Sequence, residues 1–254
     1  MSERNRVRSF FALVYLNGIL PMIAQPLYLV NTIASPLAFL FFVYIASRGA
    51  LLSFGIMGGL ILTILSTGTG IQADLVHYKQ DLKFQDVVVA SPVEAPVYVA
   101  GMAFSEFVYA IPGLVVFILL SFGVLDYTLL GSLTLFATLV LVWAFASALG
   151  FTIATYFQDI RETFVFSPLI SLVMTTLPPV YYPLTSIPTK YRWAAYLSPT
   201  TYAADLVHRG LCAVGSACYE APSWSAEALD WGVLVGLTAV LFFLAATKAR
   251  WREP

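Results

Sequence analysis

The sequence predicts an all-α integral membrane protein. It should have six transmembrane helices, an interfacial helix at the N-terminus and a re-entrant outer helical element between helices five and six. Three observations carry this expectation. The chain is 59% hydrophobic and only 11% charged, against about 25% charged in ordinary soluble domains. Apolar runs recur at 24–46, 51–73, 97–122, 129–157, 164–180 and 229–247, near the length of about 20 residues that a spanning helix needs. The third observation is segment 177–211, LPPVYYPLTSIPTKYRWAAYLSPTTYAADLVHRGL, which is too polar and proline-rich to span a bilayer yet sits between two apolar runs. Non-helical backbone survives at membrane depth only where protein or a water-filled cavity covers it.

Residues 1–20 place Arg4, Arg6 and Arg8 before FFALVYLNGIL, an arrangement shared by signal peptides. Met22-Ile23-Ala24 makes a poor cleavage site, so the expectation is an uncleaved amphipathic helix at the interface. Its basic residues would face the headgroups, and Phe10, Phe11 and Val14 the lipid. The second span, 51–73, carries Gly55, Gly58 and Gly59, small residues suited to close helix packing. The connection 74–96 mixes charges with Leu75, Leu82, Phe84, Val87 and Val88, as expected of a short helix with one face for a partner. Pro92 and Pro96 punctuate its exit.

Span three holds Glu106. A carboxylate at that depth faces the bundle interior or water, so it either lines a path or is a hydrogen-bonded structural residue. A compact charged turn, 158–163, joins spans four and five, and Pro178 and Pro179 stop the fifth. Beyond them, Tyr181 and Tyr182 offer flat faces with a hydroxyl at the edge. Such rings either stack on a sugar or headgroup or belong to an interface belt, as Trp193 and Tyr196 do. The segment 181–228 also carries Cys212 and Cys218 in CAVGSAC, expected on the side where disulfides persist. The spacing permits their pairing without fixing its geometry. No internal repeat or second domain is visible, and 1–254 reads as one unit.

Charge sets the orientation. Of the 13 Lys and Arg residues, all but Arg48, Lys190, Arg192 and Arg209 fall on the side of the termini. Both termini are therefore expected in the cytoplasm. The net charge of -1 gives no sign of nucleic-acid binding. No phosphate loop, H-E-x-x-H or G-x-S-x-G occurs, so the chain is not expected to hydrolyse ATP by a phosphate loop or to act as an enzyme. No cofactor or metal is expected on it either.

Three segments together resemble a family. GGLILTILSTGTGIQADLVHYKQDLKFQDVVVASPVEAPVYVAG is similar to the second span and following helix of ABC type-2 exporter permeases, with Ser91-Pro92-Val93 at their T/S-P-V step. The turn YFQDIRE, 156–162, resembles the aromatic-R-D-I turn of the polysaccharide-exporting branch, keeping Asp159 and Ile160 while Gln158 replaces arginine. Pro179-Val180-Tyr181-Tyr182-Pro183, Ile187-Pro188, Ser198-Pro199-Thr200 and Arg209-Gly210 fill the places of that family's outer signature. Ser198 stands where asparagine is usual, and Phe84-Gln85-Asp86 where G-T-x-E is common.

The resemblance implies the membrane-spanning permease of an ATP-driven exporter in the cell membrane. It would work as a homodimer with two copies of a separate ATP-binding cassette subunit, and that partner would hold ATP and Mg. The segment around Gln80–Ala90 would be the coupling helix, with Lys79, Asp81, Leu82, Lys83, Phe84 and Asp86 docking on the ATPase. Residues 181–210 would frame the exit of the translocation path, for which Glu106, Tyr181 and Tyr182 are candidates. The cargo would be amphipathic: a lipid-linked glycan, a lipid or a hydrophobic drug. The alternative is a secondary transporter or channel without an ATPase, which should show repeats or a chain of intramembrane ionisable groups. An intramembrane enzyme would need a polar catalytic set at one depth, and Glu106, Asp205 and His208 do not obviously form one.

Overall fold

The apolar runs fold into long helices that carry Pro36, Pro112 and Pro168 within them, while Gly49 and Pro178-Pro179 stand just past helix ends. The computed structural model describes residues 3–80, 93–157, 159–214 and 224–248. Helix α1, Glu3–Val14, continues through a π turn, Tyr15–Ile19, into α2, Leu20–Ala24. After Gln25-Pro26 come α3, Leu27–Ser47, and α4, Leu52–Gln80. Then follow α5, Ala95–Ser121; α6, Leu129–Ala154; and α7, Ile160–Thr176. The segment after α7 holds a short α8, Arg192–Ala195, and an amphipathic α9, Pro199–Gly210, before the last helix, α10, Trp224–Lys248.

Among the described residues, five helical stretches are long and apolar enough to cross a membrane: Glu3–Ala24, Leu52–Lys79, Pro96–Ser121, Leu129–Ala154 and Ser225–Ala245. Thr32–Ser47, within the expected first span, is a shorter apolar helix. The expected fifth span, 164–180, is occupied mainly by α7, which is 17 residues long and ends before Pro178-Pro179. The second span outruns its expected end at residue 73. With no Gly or Pro in DLVHYKQ, the helix carries on to Gln80, and His77 and Lys79 complement its carbonyl end.

Helix α4 is the centre of the bundle, in contact with α3, α5, α6, α7 and α9. A helix that is apolar on all sides is buried, and Ile56, Leu60, Ile61, Ile64, Leu65 and Ile71 of α4 have almost no exposed surface. Its glycines let the neighbours approach. Gly55 takes the Leu40 side chain of α3, Gly58 the Tyr181 ring, Gly59 the Phe117 ring of α5 and Gly68 the Ala146 methyl of α6. A methyl added at Gly58 would stand 2.7 Å from the Tyr181 ring, and one at Gly68 2.6 Å from Ala146. This is the small-residue packing on which helix association in lipid depends, and Gly55 and Gly59 serve it within the monomer.

Two connections position the ends. Arg48 and Gly49 adopt positive φ at the α3–α4 turn, where Gly49 N–H donates to the Tyr44 carbonyl at 2.8 Å. At the same end of the bundle, β1, Leu125–Asp126, pairs antiparallel with β2, Cys212–Ala213. That pairing ties the α5–α6 connection to the chain leaving α9.

Candidate functional site

At the N-terminal end of the bundle, α1 runs alongside the first half of α5 in the same direction. Leu13 fills the space over Gly101, the Phe10 and Phe104 rings meet edge-on at 5.2 Å, and Gly18 lies against the Ser105 backbone. Phe10 therefore faces protein, while Phe11 alone of that pair points outward. The π turn puts Gly18 and Asn17 on α5, and the Asn17 amide donates back to the Leu13 carbonyl at 3.0 Å. Arg6 donates through Nε and Nη2 to Glu94 Oε1, at 3.2 and 2.9 Å. Glu94 is the N-cap of α5, so this ion pair joins the first helix to the residue that opens the third predicted span. The guanidinium holds the Glu94 carboxyl below the usual carboxylate range.

Of the predicted coupling residues, Lys79 is exposed in the last turn of α4. Asp81, Leu82, Lys83, Phe84 and Asp86 lie outside the described residues. Segment 81–92 connects α4 directly to α5, and those two helices pack antiparallel: Gly59 faces Phe117, Thr63 faces Gly113 and Gly70 faces Glu106.

Glu106 is buried in that α4–α5 seam, 5% exposed, with its carboxyl hydrogen-bonded to the carboxyl of Asp74. Two carboxyls share a hydrogen bond only when one of them donates. Asp74 escapes the sequence reading because the expected span ends at residue 73 and Asp74 opens the connection after it. On the neighbouring faces of α4, hydroxyls bind the backbone of their own helix, and Thr69 also meets Ser171 of α7 at 2.8 Å. Gln72 is fully buried, and among the described residues neither its amide oxygen nor its nitrogen has a partner.

At the opposite end, Tyr181 is 4% exposed, packed on Gly58 and stacked on Phe39 with ring centroids 5.7 Å apart. Tyr182, half-buried, donates its hydroxyl to the Leu177 carbonyl at 2.6 Å and so closes the end of α7. Thr200, in the first turn of α9, donates to the Met174 carbonyl of α7. Arg209 reaches Asp230 of α10 at 2.6 Å, with both side chains almost wholly buried, and Gly210 touches Gly131 of α6. Beside them the buried His208 ring meets Phe54 edge-on at 4.4 Å. Cys212 is disulfide-bonded; Cys218 lies outside the described residues. Among the described residues no group of His, Cys, Asp and Glu could hold a metal.

The model of the ABC-2 type transporter family matches residues 10–211. The chain belongs to the ABC-2 type transporter family. It is a transmembrane permease of the ABC transporters, and no curated protein matches it closely enough to add more. The match runs from the middle of α1 to the end of α9. Within the permease, the motif residues have visible work. Asp159 caps α7, its side chain accepting from the Arg161 N–H at 2.8 Å. Pro199 stands in the first turn of α9, and Arg209-Gly210 pins the end of that helix to α10 and α6.

Proposed function

We propose that this permease is the membrane-spanning half of an ATP-driven exporter of an amphipathic cargo. In this reading two copies form a homodimer in the cell membrane, each with both termini in the cytoplasm and each seating one separate ATP-binding cassette subunit that holds ATP and Mg. The segment around Gln80–Ala90 is the coupling helix, where Leu82 and Phe84 anchor in the ATPase and Lys79, Asp81, Lys83 and Asp86 set its register. Residues 181–210 form a re-entrant outer element at the exit of the path. A lipid-linked glycan, a lipid or a hydrophobic drug fits the apolar setting, and the YFQDIRE turn favours the glycan.

The observation that carries the reading, beside family membership, is the position of α4. It leads straight into segment 81–92 and packs on α3, α5, α6, α7 and α9. A displacement at the end of α4 therefore acts on five helices at once. ATP must favour one bundle arrangement through differential contacts, since a ligand without them moves nothing.

Purification from native membranes in mild detergent, with mass spectrometry of the partners, tests this. The wild type should carry a stoichiometric ATP-binding protein, and the Lys83→Glu, Phe84→Ala, Asp86→Lys variant should lose it while remaining folded. A folded wild type without that partner would sink the proposal. Transport on an ion gradient would then be the reading to pursue, because the Asp74–Glu106 carboxyl pair, with Glu106 buried, is the kind of intramembrane ionisable group such transporters use.

A further inference from the structure

The three arginines of α1 do different things. Arg6 turns inward to Glu94, on the face that also carries Phe10 and Leu13 against α5. Arg4 and Arg8 are exposed and have no partner among the described residues. They stand four residues apart, on the same face as Phe11 and Tyr15, which follow at helical spacing. Phe11 is 63% exposed and Tyr15 50%, and the apolar surface continues through Ile19 and Ile23. One face of this helix is thus anchored on protein. The other presents two free guanidiniums and then a run of open apolar side chains.

The direction of α1 gives this face its meaning. Because α1 runs parallel to α5, whose stretch Pro96–Ser121 can cross a membrane, each residue from Arg4 onward lies deeper than the last. Arg6 stands at the level of Glu94, Leu13 at Gly101 and Gly18 at Ser105. At 1.5 Å of rise per residue, Arg4 and Tyr15 are separated by roughly 16 Å along the axis, about the distance from a headgroup into the acyl chains. With Arg4 at the headgroups, Tyr15 stands at chain height.

We propose that the outward face of α1 is a docking site for an anionic phospholipid of the leaflet on the N-terminal side. Arg4 and Arg8 take the phosphate and headgroup charge, and Phe11, Tyr15 and Ile19 lie along the chains. Arginine suits this role because its planar fork makes paired hydrogen bonds to phosphate. Continuity of the apolar stripe beyond the charges favours a lipid over an acidic protein surface, which would leave Tyr15, Ile19 and Ile23 open. The site does not depend on the ATPase partner. Through Arg6 and Glu94, the helix that holds the lipid also holds the N-cap of α5, two residues past segment 81–92.

The test is lipid retention by the full chain in mild detergent, read by native mass spectrometry with phosphatidylglycerol and phosphatidylcholine offered together. The wild type should retain phosphatidylglycerol in preference. Arg4→Gln/Arg8→Gln should reduce that preference about thirtyfold, given the ordinary worth of each basic residue near an anionic surface, and each single variant should reduce it by less. Arg4→Lys/Arg8→Lys should keep most of it, and Arg6→Gln all of it. Equal retention of the two lipids by the wild type, or an unchanged preference in the Gln variants, would overturn the proposal. So would an Arg6→Gln loss as large as that of the double variant, which would show a general charge effect. Loss of a co-purifying protein from the double variant with lipid preference intact would assign the face to a protein instead.

Discussion

Single side chains at the two ends of the bundle carry costs that can be measured separately. Arg209 and Asp230 form a buried pair at 2.6 Å between α9 and α10. Removing one partner of such a pair leaves a buried charge alone, which costs about 3–5 kcal/mol. Arg209→Leu should therefore lower the melting temperature of the detergent-solubilised protein sharply, and Arg209→Leu/Asp230→Leu should recover much of the loss. Glu106 and Asp74 make a different case, because their contact is a hydrogen bond between carboxyls. Glu106→Gln can still donate to Asp74 and should leave stability almost unchanged. Glu106→Ala strands the Asp74 carboxyl at a cost of about 1–3 kcal/mol, which a thermal unfolding comparison of the two variants will reveal. Gln72 has no partner among the described residues for either amide atom, although it is fully buried. Native proteins keep few such groups, and this one lies in the helix that contacts most of the bundle.

Helix α1 is where one element's sequence and its surroundings diverge. Its pattern of basic and apolar residues suits a helix lying flat in the interface, yet it is stacked along α5 through Leu13 on Gly101 and Phe10 on Phe104. The Arg6–Glu94 pair fixes its start. That contact lowers the folded-state pKa of Glu94 beneath its ordinary 4.5. A carboxyl lowered in this way contributes stability that is present above 4.5 and lost as pH falls through the depressed value. Wild type should therefore hold α1 on α5 better than Glu94→Gln at pH 7, and the difference should shrink as pH falls below 4.5. Cross-linking between cysteines introduced at Leu13 and Gly101 across that pH range measures it. A constant difference from pH 7 to pH 3 would mean that the ion pair does not anchor the helix.

At the scale of the whole molecule, α4 joins the parts. Neighbours from α3, α5, α6 and the segment after α7 settle on Gly55, Gly59, Gly68 and Gly58 in turn. The core accordingly divides into a large cluster around Ile56–Leu65 and a smaller one that gathers Leu13, Ile71, Tyr98, Met102 and Phe151 near the N-terminal end. Both clusters draw on α4, so the partner-capture experiment on segment 81–92 bears on the whole bundle. Much of this frame was legible beforehand. Composition and run length gave the membrane class and the helices near 97–122, 129–157 and 229–247, and prolines and glycines marked where chains turn. The motif residues Asp159, Pro199 and Arg209-Gly210 also stood out, and each has a structural task.

What the sequence by itself determined is the membrane class, the family and the approximate helices, because burial in lipid demands long apolar runs with satisfied backbone. The tertiary structure alone decided which helix meets which. It made Asp74 the partner of Glu106, gave Asp230 to Arg209, buried Tyr181 on Gly58 and laid α1 along α5. The reason is physical. Helical periodicity reports the faces of one helix, and in a membrane a face toward lipid and a face toward protein are both apolar. Only the approach of a neighbouring backbone, at a glycine or beside a charge, distinguishes them.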